Sequence, residues 1–333
     1  MKVLVYANGS SSMGIGHIMR TLAISRELKK RNALITYITD KSDESSINLI
    51  KSYGFRVVQI DSILKFLSEN NVKKYDVGIV DSYDIEENSI LKFYNICKKV
   101  VYIDDLMKFK NYNIDILINT SIEALNKNYI GKSKKLLGPK YAILRDEFKD
   151  LEYKKLNSKV KNILITLGGG DIDNITKEII DILLVNYKNM KLNIVLGNSY
   201  KYKEFMLENY KYDNVNFYMN VKNMKDLMIE NDIAISAGGN TLYELCVCGI
   251  STFAVIIADN QKQFVKEIHK KTGMFFIDLT KDSFKSLKNT FSNDLDKFLK
   301  NFTLRNQISK EMSKLVDGLG CEKIVGEIIE LFK

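Results

Sequence analysis
Two series of alternating β-rich and helix-patterned segments, parted by one polar stretch, constrain this chain more than any other feature. In the first half KVLVYA, ALITYIT, FRVVQI, DVGIVD, KVVYID and IDILIN read as strands, with helical patterns between most of them. In IMRTLAISRELKKR, from Ile18, the apolar residues Leu22, Ala23 and Leu28 recur near helical spacing. Strand alternating with helix dictates a parallel sheet with right-handed crossovers. FKDLEYKKLNSKVK is polar and lysine-rich, and predicts a linker near residues 149–160. A second series then follows: NILITLGGG, KLNIVLG, NVNFYM, DIAISAGG, STFAVII and GMFFID. The final stretch, LRNQISKEMSKLVDGLGCEKIVGEIIELFK, reads as two helices broken at DGLG. The expectation is therefore an α/β protein with domains over 1–150 and 160–305, and C-terminal helices over 306–333. A length of 333 residues agrees, since single cores stop growing below that size.

Several classes are excluded at this level. No apolar run reaches the roughly 18 residues of a membrane span, and STFAVIIA is among the longest. MKVLVYANGS lacks the apolar core and cleavage site of a signal peptide, so a cytoplasmic chain without membrane insertion is expected. Cys97, Cys246, Cys248 and Cys321 have no paired C-x-x-C spacing, which favours buried free thiols over a disulfide or zinc site. The formal charge of +9 is spread along the chain, mostly as lysines. That favours acidic small ligands over a nucleic-acid groove, and no Arg–aromatic motif is interleaved.

In open parallel sheets ligands sit beyond the carboxyl ends of strands, so the loops leaving strands carry the chemistry. The first loop, NGSSSMGIGH, partly matches the dinucleotide pattern G-x-G-x-x-G, with Asp40 ending the second strand. The spacing from strand to Gly16 is too long, and Met19 or Arg20 occupies the third glycine position, so a nicotinamide site is not expected. What remains is a loop with Gly14 and Gly16 opening a helix, and one of the chain's two histidines, His17, at the helix start. A helix N-terminus disfavours imidazolium, and a neutral ring is what a general base needs. The same position also suits a histidine that merely caps or packs. The second loop, LGGGD from Leu167 to Asp171, is either an anion-holding nest or a plain turn. In the third, ISAGGNTLYELCVCG, a strand ends at Ser236 and Gly238 and Gly239 precede a helix with Asn240 or Thr241 at its cap. Small residues there let a diphosphate approach free N–H groups. Glu244, one turn on, can accept ribose hydroxyls or simply answer the helix dipole. The last group is a scatter of polar strand ends: Asp81 and Tyr83, Asp104 and Asp105, Asn260, and the D-x-D of Asp171 and Asp173. Acids at strand ends are common turn residues, so no metal site is expected. His269 reads as a surface residue near a helix C-terminus.

The start MGIGHIMR, the middle elements DSYD, IDDL, DILINT and LLGPKYAILRDEF, then LGGGD, ISAGGNTLYELCVCG and ADNQ resemble the PseG/SpsG family, in order and over nearly the whole chain. The G-x-G-H-x-x-R element is the most specific of these. The resemblance implies a GT-B-like fold, two Rossmann-like parallel-sheet domains facing across a cleft. It implies a hydrolase that releases UDP from UDP-2,4-diacetamido-2,4,6-trideoxy-β-L-altropyranose in pseudaminic acid biosynthesis; attack opposite the leaving group makes inversion the expectation, and no metal or cofactor is expected. His17 matches the base that activates water at the anomeric carbon. Gly14, Gly16, Arg20, Tyr83, Arg145 and Asn260 match substrate positions. Gly168, Gly169, Gly170, Ser236, Ala237, Gly238, Gly239, Asn240, Thr241 and Glu244 match UDP positions in the second domain. The DGLGCEKIVGEI ending is familiar from the spore-coat branch. A UDP-sugar is the expected partner, and a monomer the expected state.

Fold alone does not choose between functions. A glycosyltransferase passing the sugar to an acceptor uses the same architecture. A non-catalytic nucleotide-sugar binding subunit is the third reading, and it leaves His17 without a task.

Overall fold
The protein is described by a computed structural model covering residues 1–333 except 11, 12, 153, 169, 170 and 198. It is α/β and divides into two compact units, 1–146 together with 318–333, and 147–317.

The first unit runs β1 (Lys2–Ala7), α1 (Gly16–Lys30), β2 (Leu34–Thr39), α2 (Glu44–Ser52), β3 (Arg56–Gln59), α3 (Ile63–Glu69), β4 (Tyr75–Asp81), α4 (Glu87–Leu91), β5 (Cys97–Ile103), β6 (Ile116–Asn119) and β7 (Lys134–Leu137). Its described strands form a seven-stranded sheet in the order β3-β2-β1-β4-β5-β6-β7, every neighbouring pair parallel. Strand alternation sorts KVLVYA onto two faces. Val3 and Val5 join one core with Ile18, Leu22 and Leu28 of α1, while Leu4 and Tyr6 join the opposite core with Leu67 and Phe93. Helices thus cover both faces, as a buried parallel sheet requires.

The second unit runs β8 (Asn162–Thr166), α5 (Ile175–Asn186), β9 (Lys191–Val195), α6 (Lys203–Asn209), β10 (Val215–Tyr218), α7 (Met224–Glu230), β11 (Ile233–Ala237), α8 (Thr241–Val247), β12 (Ser251–Ile256), α9 (Lys262–Thr272), β13 (Phe275–Asp278), α10 (Phe284–Lys300) and α11 (Phe302–Ser313). Its six-stranded sheet has the order β10-β9-β8-β11-β12-β13, again all parallel. The lysine-rich segment before β8 is anchored rather than loose. The Lys154 ammonium donates to the carbonyls of Ile229 and Asn231 at the end of α7, where the helix dipole favours a cation. Arg305 is buried and donates to the carbonyls of Phe298 and Leu299 at the end of α10 and, at 2.8 Å, to that of Ser158.

The expected partition set residues 306–333 apart, and the structure divides them otherwise. The helix α11 packs within the second unit, whereas α12 (Gly320–Glu330) returns to the first and buries Ile324, Val325 and Ile328 in the core beside α1. A Cβ on Gly320 would lie 2.1 Å from the carbonyl oxygen of Ala142, so the return requires glycine where the helix meets that backbone. The four cysteines are buried, and none forms a disulfide among the described residues. No helix among the described residues is long and apolar enough to cross a membrane.

Candidate active site
Strand order fixes where each unit can hold a ligand. In the first sheet β1 lies between β2 and β4, so the chain reverses direction across the β1/β4 boundary. In such sheets the crevice opens at that boundary, beyond the strand ends. The loop after β1 leads to Gly14, Gly16 and His17, and β4 ends at Asp81 with Tyr83 two residues on. Gly14 has φ +87° and closes a small bridge with Ser10, and Gly16 opens α1, which has no side-chain cap.

His17 is the second residue of α1, with 18% of its side chain exposed. Its Nδ1 lies 3.1 Å from the main-chain oxygen of Asp81 and 3.2 Å from Asp81 Oδ1. Both neighbours are acceptors, which assigns the hydrogen to Nδ1 and leaves the lone pair of the neutral ring on Nε2. The Tyr83 ring meets the imidazole edge-on, centroids 4.4 Å apart. Asp81 is buried, and its two carboxylate oxygens accept from Nε and, at 2.6 Å, Nη2 of Arg20. Arg20 Nη1 donates to Asp105, which also accepts from the Tyr83 hydroxyl at 3.1 Å. Against burial, which acts the other way, Asp81 and then Asp105 hold the Arg20 guanidinium well above its ordinary value. Burial first, then the Asp105 charge, push the Tyr83 phenol up to about 12, so near neutral pH it is a donor.

In the second sheet the reversal falls between β8 and β11. The loops leaving those two strands are LGGGD, left open between an anion nest and a plain turn, and AGGNT, read as open to a diphosphate. Gly168 has φ +74°, while Gly169 and Gly170 lie outside the described residues. Ser236 and Ala237 are buried at the end of β11, and Ser236 Oγ donates to the Ala237 carbonyl at 3.1 Å. A Cβ on Gly238 would meet Val265 at 2.5 Å and Gln261 at 3.0 Å, whereas one on Gly239 would meet nothing within 4 Å. Packing requires the first glycine, and the second leaves backbone open to a ligand. Asn240 caps α8 by position only, without a side-chain hydrogen bond, and Thr241 begins it. Glu244 lies in the first turn of α8. Asn260 is exposed in the short 3₁₀ turn after β12. Its neighbour Gln261 accepts from Ile257 N–H at 3.0 Å and packs on Gly238, joining the loops after β11 and β12.

The expected residues therefore gather as two constellations, one in each unit. His17, Arg20 and Tyr83 come together in the first, with Asp81 and Asp105 supplying partners that sequence reasoning named only as polar strand ends. Arg20, matched to substrate by resemblance, has its guanidinium on two aspartates. Arg145 follows the short turn after β7. It adjoins Asp146, which pairs with Arg26 at 3.1 Å and Lys30 at 3.2 Å in the later turns of α1, and Arg26 stands roughly 13 Å along that helix from His17. Other acids are committed to the fold. Asp40 accepts from Tyr6 Oη at 3.0 Å, Asn8 Nδ2 at 2.8 Å and Ile63 N–H at 3.0 Å. Asp104 accepts from the N–H groups of Leu106 and Lys108, and Asp171 caps α5 through Ile175 and Thr176. His269 is exposed near the end of α9, with Nδ1 2.7 Å from the Met274 carbonyl.

The model of the glycosyltransferase family 28 C-terminal domain matches residues 153–319. The uncharacterized protein MJ1062 of Methanocaldococcus jannaschii is 32% identical over 297 residues, 85% of this chain and 61% of that protein. The chain thus spans about three fifths of that relative's length. The UDP-2,4-diacetamido-2,4,6-trideoxy-beta-L-altropyranose hydrolase of Campylobacter jejuni is 24% identical over 281 residues, 81% of this chain and 97% of the hydrolase. The spore coat polysaccharide biosynthesis protein SpsG of Bacillus subtilis is 22% identical over 343 residues, covering 100% of this chain and 99% of SpsG. Among solved structures, MurG of Acinetobacter baumannii aligns with a TM-score of 0.68 at 16% identity, covering 99% of each chain, which places the fold in the GT-B class.

Proposed function
Because the chain belongs to the PseG/SpsG family and carries the glycosyltransferase family 28 C-terminal domain, we propose that it is a nucleotide-sugar hydrolase. Its substrate in this reading is UDP-2,4-diacetamido-2,4,6-trideoxy-β-L-altropyranose, and its pathway is pseudaminic acid biosynthesis. The observation that carries the reading is His17. Its Nδ1 is occupied by oxygens of Asp81, and Nε2 keeps its lone pair at the strand-order reversal of the first sheet. UDP is taken up by the loops after β8 and β11, with the open backbone at Gly239 facing phosphate oxygens and Glu244 accepting from the ribose. Tyr83 and Asn260 contact the sugar.

His17 Nε2 takes a proton from water as the water oxygen forms a bond to the anomeric carbon. The bond from that carbon to the UDP oxygen breaks, and its electron pair leaves with UDP. Attack opposite the leaving group inverts the anomeric configuration. UDP departs as a stable anion, so no strong general acid is needed. The aspartates at the strand ends are engaged by Arg20, tyrosine hydroxyls and backbone N–H groups, and the reaction proceeds without a metal ion.

The match to a glycosyltransferase domain favours a second reading, in which the acceptor is a hydroxyl of another sugar in surface or spore-coat polysaccharide synthesis. Incubation with a panel of UDP-sugars, without acceptor and with EDTA, in ¹⁸O-water tests both. The hydrolase gives UDP and a free sugar, with label in the sugar alone. Label in UDP means phosphorus–oxygen cleavage and rejects the mechanism. A donor left intact until an alcohol is added supports the transferase.

A further inference from the structure
The contacts of Arg20 point to a role different from the one its motif implies. Its side chain is only 10% exposed, and three of its nitrogens are committed: Nε and Nη2 to the two oxygens of Asp81, Nη1 to Asp105. Each of those carboxylates in turn holds something that touches His17. Asp81 occupies Nδ1 through its main-chain and carboxylate oxygens. Asp105 holds the Tyr83 hydroxyl, and the Tyr83 ring packs on the imidazole. One planar guanidinium therefore ties together the restraint on the ring's nitrogen and the restraint on its face. Arg20 lies three residues after His17, so both project from the same side of α1. Arginine alone matches this task, because its rigid fork engages one carboxylate with two bonds and a second with another, while lysine is a single point charge.

We propose that Arg20 is a positioning residue, the common anchor of the two arms that aim His17, and that it does not bind substrate. The inference rests on the reading of His17 as the base. A positioning residue changes kcat, since a base misplaced by about 1 Å costs on the order of 10²-fold. A substrate residue changes affinity.

The test uses the full-length protein with Arg20→Lys, Asp105→Asn and Tyr83→Phe. Arg20→Lys and Asp105→Asn should lower kcat by roughly 10- to 100-fold with KM and calorimetric UDP affinity within about twofold of the parent. Asp105→Asn and Tyr83→Phe cut the same arm, so in kcat the double variant should lose no more than the larger single loss, while loss of the Tyr83 sugar contact is read in KM. If Arg20→Lys does not fold, Asp105→Asn carries the test, because it leaves the fork on Asp81 in place. The chain has only two histidines, so long-range ¹H–¹⁵N spectra, assigned with His269→Gln, report the His17 ring directly and without substrate. The neutral ring of the parent should show one tautomer, with its hydrogen on Nδ1. Asp105→Asn should broaden the His17 signal or split it into exchanging forms. A raised KM with unchanged kcat would overturn the proposal and return Arg20 to the substrate, as would an unaltered ring spectrum with parental kcat. A ring spectrum that responds as expected in a protein that turns over no UDP-sugar sinks the hydrolase reading and leaves the anchor standing.

Discussion

A histidine with one nitrogen occupied by its own protein has one nitrogen left for a reaction, and in the proposed reading that nitrogen and the nucleotide loops belong to different units. Chemistry and nucleotide affinity should then be separable by single substitutions. His17→Asn should lose about 10²–10⁴-fold in turnover, the usual span for a general base, with calorimetric UDP affinity unchanged. Glu244→Gln should do the reverse, weakening UDP roughly tenfold or more, because a hydrogen bond to a charged group is worth about 1.5–3 kcal/mol. Parental turnover in the first variant, or parental UDP affinity in the second, rejects the corresponding role. The positions of these candidates were legible in the sequence, as a glycine-opened helix start with a histidine and as two glycine loops after strands. The partners of His17 were not legible, because Asp81 and Asp105 lie 61 and 85 residues from Arg20. Only the adjacency of β1, β4 and β5 in the sheet brings them together, and local spacing carries no record of strand order.

The twelve strands expected from apolar runs all form, and the one missed is informative. β7 has the sequence KKLL with its two lysines exposed, and it is one of the two edges of the first sheet. Edge strands are blunted by lysine, which erases the apolar signature that marks central strands. One of those lysines, Lys134, pairs with Glu327 of α12. That helix contains two glycines whose substitution by alanine should act in opposite directions. At Gly320 the new Cβ meets the Ala142 carbonyl oxygen at 2.1 Å, and that neighbour is backbone. Gly320→Ala should therefore destabilise the first unit by about 1–3 kcal/mol, the usual cost of overpacking. At Gly326 a Cβ meets nothing within 4 Å, and Gly326→Ala should stabilise by roughly 0.5–1 kcal/mol through helix propensity and the unfolded chain. Thermal or urea unfolding of the two variants side by side checks both signs, and a shift in the same direction would contradict the packing described for α12.

Across the whole molecule, two α/β halves were plain from the doubled strand–helix series. The destination of the last sixteen residues was not. The pattern CEKIVGEIIELFK announces an amphipathic helix in need of a core, and nothing local says which core. The structure assigns Ile324, Val325 and Ile328 to the first unit. Fully burying one such side chain contributes about 1.5–3 kcal/mol, so together they approach the whole stability of a typical domain, roughly 5–15 kcal/mol. A chain stopped after Asp317 should lose the calorimetric transition of the first unit and all turnover, while retaining the transition of the second and its affinity for UDP. Two undisturbed transitions would show that α12 is dispensable. The crossing at 146/147 and the return at 317/318 also set an order of assembly during translation. The ribosome delivers β1 to β7 before residues 147–317, yet the core beside α1 lacks the cover of α12 while all of residues 147–317 are made. At roughly 5–20 residues per second, the wait lasts on the order of ten seconds or more. Residues 147–317 are then able to finish folding first, and the half that carries His17 closes only once α12 has emerged.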